Sequence, residues 1–195
     1  IRLLKGACMN IENMKIISID DNKTNLLILE SYAKILKLNI SSFLNPLDAV
    51  EELEKNDYDL IIVDYMMPEM NGIEVIQKVR ETNETIPIIM LTAVGDDMEL
   101  QIKALEVGAN DFLNKPINAP AFKARIINML KLRKSQLLIE NKALLLEEEV
   151  KKATLRLKES EHKALQMLGK ASEYKDPKTK EQTKRVSHYS KLLAN

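Results

Sequence analysis

The sequence predicts an α/β protein: a doubly wound, five-stranded parallel sheet followed by a long C-terminal coiled-coil helix. Three observations predict it. Short apolar, β-branched runs alternate with stretches of helical periodicity over about 105 residues. The third and fourth runs are almost wholly apolar, as expected of strands covered by helices on both faces. From Phe122 to Ala171 there is no proline, and a heptad pattern takes over.

The strand candidates are Met14–Ile19, Asn39–Leu44, Leu60–Val63, Ile86–Leu91 and Asp111–Leu113. Helical stretches lie between them, the first marked by Leu26, Leu27, Leu29, Ile35 and Leu36. Pro46, Pro68, Gly72, Pro87, Gly95 and Gly108 punctuate the joins. In the C-terminal helix an alternation of four and three runs from Met129 and Leu132 through Ile139, Leu146, Val150 and Leu157 to Met167. Gln136 and Ser160 are its polar interruptions, of the kind that fix register in a coiled coil. A run of roughly 45 residues would reach about 65 Å, more than a small α/β domain can cover, so a self-associating parallel dimer is expected.

Composition narrows the function classes. The 195 residues carry 29 Lys+Arg against 29 Asp+Glu, so no overall basic field and no basic recognition helix point to DNA. The single cysteine, Cys8, excludes an internal disulfide framework. No apolar run has the length of a membrane span and no signal-peptide pattern is present, which makes a cytoplasmic location the expectation. Because Ile1 is not Met, residues before Met9 are expected to be upstream sequence or an expression remnant.

The chemistry sits at the strand ends. Asp20 and Asp21 close the first run, Asp64 the third and Thr92 the fourth, while Lys115 follows the fifth and precedes Pro116. In a parallel sheet the carboxyl ends of the strands share one edge, where ligands bind. The acids are hard oxygen ligands of the kind Mg²⁺ prefers, and a carboxylate can attack phosphorus to form an aspartyl-phosphate. Each residue alone has a plainer reading. Asp20-Asp21 could cap a helix, Asp64 could be a turn residue, Thr92 an ordinary strand residue, Phe112 core, and Lys115 a solvated lysine. A cis Lys115–Pro116 bond would instead turn the ammonium into the pocket.

The joint pattern resembles the receiver domain of two-component response regulators, a flavodoxin-like fold. The motifs are Ile19-Asp20-Asp21-Asn22, Val63-Asp64 through Asn71-Gly72, Leu91-Thr92-Ala93 and Gly108 through Lys115-Pro116. The resemblance implies that Asp64 accepts a phosphoryl group from a sensor histidine kinase or phosphotransfer protein. Asp20, Asp21 and the Met66 carbonyl would bind Mg²⁺ with Asp64. Thr92 and Lys115 would contact the phosphoryl oxygens, and Phe112 would switch with Thr92. Self-phosphorylation and dephosphorylation at Asp64 are then the only reactions expected of these residues.

The segment from Leu165 to Tyr189 resembles the opening of an HD-GYP domain, a family that hydrolyses cyclic di-GMP at a metal site. It departs at Lys178, where some members carry a glutamate ligand, and at Gln182, where a histidine is usual. An ammonium cannot ligate a metal and an amide does so poorly, which implies reduced or altered metal binding. His162 and His188 are the only histidines and are expected on the surface.

The expected organisation is an extension over 1–12, a receiver over 13–130, a coiled-coil signalling helix over 131–171 and the truncated start of an HD-GYP-like output over 172–195. The helical pattern that stops at Asn195 without a cap is expected of a piece of a longer chain. The functional expectation is a phosphorelay response regulator signalling through a dimeric helix to a cyclic di-GMP phosphodiesterase-like output. A non-catalytic HD-GYP-like scaffold, or a regulator acting by dimerisation alone, remain as alternatives.

Overall fold

The computed structural model describes residues 10–93, 98–175 and 184–187. Five strands, β1 (Lys15–Ile19), β2 (Asn39–Phe43), β3 (Leu60–Asp64), β4 (Ile88–Ala93) and β5 (Asp111–Lys115), form one sheet in the order β2-β1-β3-β4-β5. Every strand pair is parallel. Five helices connect or follow them: α1 (Lys23–Ile35), α2 (Pro46–Lys55), α3 (Gly72–Thr82), α4 (Met98–Glu106) and α5 (Ala119–Lys175). This is the doubly wound, flavodoxin-like sheet with a long C-terminal helix.

Two apolar clusters sandwich the sheet. One gathers Ala49 and Val50 of α2, Ile73, Val75, Ile76 and Val79 of α3, and Ala104 of α4 against Ile17, Ile61, Val63 and Met90. The other packs Leu29 and Ala33 of α1 and Phe122, Ile126 and Leu130 of α5 on Ile16, Leu60, Ile62 and Leu91. β3 is buried along its whole length because both layers cover it.

Most strand bounds shift by one or two residues: β1 begins at Lys15, β2 ends at Phe43, β3 takes in Asp64, and β5 runs on to Lys115. β4 begins at Ile88 rather than Ile86, because Pro87 has no N–H to give to the ladder; its carbonyl instead accepts from Ile61 N at 3.0 Å. In α1 the buried face is Leu26, Leu29 and Ala33, so Leu27 and Ile35 fall roughly 100° and 180° away and are exposed.

The first compact unit extends to Asn141 and a second begins at Lys142. Past Leu130, Arg133 is 8% exposed and donates from Nη1 to Thr85 Oγ1 at 2.9 Å, tying α5 to the segment before β4. In the second unit the α5 side chains from 142 to 168 are all exposed, His162 among them. Among the described residues no helix is long and apolar enough to cross a membrane. Residues 1–9, the join at Gly95, and Lys178, Gln182 and His188 lie outside the described residues.

Candidate functional site

Asp20 is the first residue beyond β1 and Asp64 the last of β3, on neighbouring central strands. Asp20 is fully buried, Asp64 nearly so, and Asp21 is exposed. Carboxylate oxygens of all three lie within 4.8 Å of one another. The aspartates are not spent on capping: Asn22 is the N-cap of α1, its side chain accepting from Thr24 N at 2.9 Å.

Lys115 closes β5, and its bond to Pro116 is cis. Its Nζ stands 2.9 Å from Asp20 Oδ2 and 2.8 Å from Asp64 Oδ1, so one ammonium bridges two buried carboxylates. Burial pulls the Lys115 ammonium down, but the hydrogen bonds and charges of Asp64 and Asp20 outweigh it and hold the group above its ordinary value. Burial pushes the Asp64 carboxyl up; Lys115 opposes this and the Asp20 charge adds to it, and the net direction is upward. Three carboxylates facing one ammonium leave excess negative charge. A hard divalent cation would balance it, and the all-oxygen donor set suits Mg²⁺.

Thr92 is buried in β4, one position past Leu91, which pairs in register with Asp64. Its Oγ1 donates to Asn114 Oδ1 at 3.0 Å. Phe112 is half-buried, lies opposite Met90 in the ladder and packs against the α2–α4 cluster. The Met66 side chain is exposed in the loop beyond β3, two residues past Asp64. The structure thus groups Asp20, Asp21, Asp64 and Lys115 directly, with Thr92 on the adjoining strand.

Two asparagines complete the setting, and neither is among the residues that the strand-end pattern selects. Asn25 Nδ2 reaches both oxygens of Asp20, at 3.1 and 2.9 Å, and Asn22 N donates to Oδ1 at 2.8 Å. These bonds fix the Asp20 carboxylate. The cap at Asn22 places Asn25 in the first turn of α1, above the end of β1. Below the site, Gly72 opens α3 and donates its N–H to Tyr65 O at 2.9 Å. A capping box, Asn71 with Glu74, secures that helix start.

The family model for the response regulator receiver domain matches residues 16–127, and the chain belongs to that family. It carries the receiver domain of a two-component response regulator, with the acidic cluster that in such domains binds Mg²⁺. Among curated proteins it is 37% identical, over 81% of its length, to the cyclic di-GMP phosphodiesterase response regulator RpfG of Xanthomonas campestris, of which it covers 42%. It is 29% identical over 93% of its length to a cyclic di-GMP phosphodiesterase of Thermotoga maritima, of which it covers 50%. The chain spans half or less of these relatives. A Francisella response regulator receiver domain matches 64% of this chain and 99% of its own at 28% identity and TM-score 0.57. A receiver domain protein of Clostridium thermocellum matches 64% of this chain and 98% of its own at 26% identity and TM-score 0.59.

Proposed function

We propose that this chain accepts a phosphoryl group on Asp64 from a histidine kinase or phosphotransfer protein and passes the change through α5. The observation that carries the reading is the Lys115 ammonium held 2.8 Å from Asp64 and 2.9 Å from Asp20, beside a third carboxylate. Asp20, Asp21, Asp64 and the carbonyl of Met66 would hold Mg²⁺, which when bound neutralises the phosphoryl oxygens. An Asp64 carboxylate oxygen attacks phosphorus in line as the bond to the donor histidine nitrogen breaks. Lys115 then turns its ammonium from Asp64 toward a phosphoryl oxygen, and Asn25 keeps Asp20 in place. The Thr92 hydroxyl moves to the new group and Phe112 follows, a local charge change biasing a two-state element.

The output reading rests on the exposed stripe of α5 and on the names of the relatives. Leu146, Val150 and Leu157 are 60–63% exposed in the single chain, at positions a coiled coil would bury. Two copies pairing there would form a dimeric linker to an HD-GYP-like domain acting on cyclic di-GMP. Phosphoryl uptake from a labelled small-molecule donor tests the receiver assignment: it should need Mg²⁺ and stop in Asp64→Ala. Crosslinking along α5 with and without a phosphoryl mimic tests the relay, and an identical pattern would count against it.

A further inference from the structure

The same hydrogen bond that places Thr92 gives Asn114 a task. We propose that Asn114 is a positioning residue that holds the Thr92 hydroxyl in the resting state and competes with a phosphoryl group on Asp64 for its proton. The inference rests on the reading that Thr92 contacts that group. Thr92 and Asn114 are direct partners in the β4·β5 register, so their side chains rise from the same face of the sheet. Thr92 Oγ1 lies 3.0 Å from Asn114 Oδ1 and donates to it.

A threonine hydroxyl has one proton to donate. Phosphoryl oxygens accept and do not donate, so Thr92 cannot serve Asn114 and the phosphoryl group with the same proton. Burial sharpens the choice, since Thr92 is 1% exposed whereas Asn114 stands in solvent. When the hydroxyl turns away, the Asn114 amide regains water, and the buried hydroxyl must find its new partner within the site. Asn114 therefore sets how far the resting orientation is favoured, and so how tightly the active state is held.

The test is a double-mutant cycle read with beryllofluoride, a phosphoryl mimic, on the full chain in Mg²⁺. Apparent beryllofluoride affinity is measured by NMR titration for wild type, Asn114→Ala, Thr92→Val and the double variant. Asn114→Ala should tighten the affinity by roughly three- to tenfold, the shift commanded by one neutral hydrogen bond. Asn114→Val, which keeps a strand-forming side chain without an acceptor, should do the same. In the Thr92→Val background the Asn114 substitution should change nothing. Unchanged affinity in both Asn114 variants, or an equal gain with and without the Thr92 hydroxyl, would overturn the proposal. If Thr92→Val alone leaves affinity untouched, the reading of Thr92 as phosphoryl contact fails first; if it weakens binding while Asn114 is silent, only the latch fails.

Discussion

Gly72→Ala offers a severe test of how the fold supports Asp64. A Cβ built on Gly72 would lie 2.4 Å from the Asp64 carbonyl oxygen and about 3.0 Å from Tyr65 Cα. Both neighbours are backbone, so no side-chain rotation relieves the contact. The gap must open by at least about 0.6 Å before it reaches the shortest separations that real Cβ atoms tolerate. That shift falls on Asp64, the proposed nucleophile, or on the first turn of α3. Overpacking of this kind costs about 2–3 kcal/mol. Alanine's better helix propensity returns up to about 1 kcal/mol, which leaves a net loss of about 1–3 kcal/mol.

A functional loss should appear even in the folded protein, because displacing a reacting group by 1 Å can cost on the order of a hundredfold in rate. A drop of roughly tenfold in phosphorylation is expected of a still-folded Gly72→Ala protein. Urea unfolding gives the first quantity, and uptake from acetyl phosphate with Mg²⁺ gives the second. Gly169→Ala is the control: nothing lies within 4 Å of its Cβ position, so it should raise helicity and leave uptake alone. Wild-type stability together with wild-type uptake in Gly72→Ala would show that the close approach at Gly72 does not hold Asp64 in place.

Asn25→Ala should weaken Mg²⁺ affinity by about tenfold by removing the amide that touches both oxygens of Asp20, leaving Asn22 N and Lys115 as their partners; titration calorimetry would check it, and undiminished affinity would deny Asn25 its orienting role. The raised Asp64 carboxyl makes the metal-free fold bind more protons than the unfolded chain above the ordinary value of 3.8. Its contribution to stability therefore falls as pH rises through the folded value, and melting curves of Asp64→Asn without divalent ions should lack that slope. In the tail, the proposed pairing of α5 predicts that the wild-type chain sediments as a dimer and Val150→Asp as a monomer, and an unaltered mass would remove Val150 from the pairing face.

The strand-end residues were legible because a parallel sheet brings every strand's carboxyl end to one edge, whatever the intervening sequence. That rule located Asp20, Asp64, Thr92 and Lys115 without any knowledge of packing. Asn25 was not legible, since a polar residue in a first helical turn reads as solvated until the cap at Asn22 fixes its direction. Asn114 depends on register: it faces Thr92 only because β5 pairs with β4 at that offset, which a strand's own pattern does not specify. The start of α5 shows the opposite case, a pattern serving two purposes. Its heptad spacing begins at Met129, yet neighbouring Leu130 is fully buried on the protein's own sheet and Arg133 nearly so. Periodicity alone cannot say which partner an apolar stripe will meet.

Mapping the modified residue decides whether Asp64 accepts the phosphoryl group, as proposed. After incubation with acetyl phosphate and Mg²⁺, intact mass and peptide mapping should show one base-labile phosphoryl group, located on Asp64 and lost when the metal is chelated. No adduct, an adduct on another residue, or equal uptake by Asp64→Ala would exclude Asp64 as the acceptor.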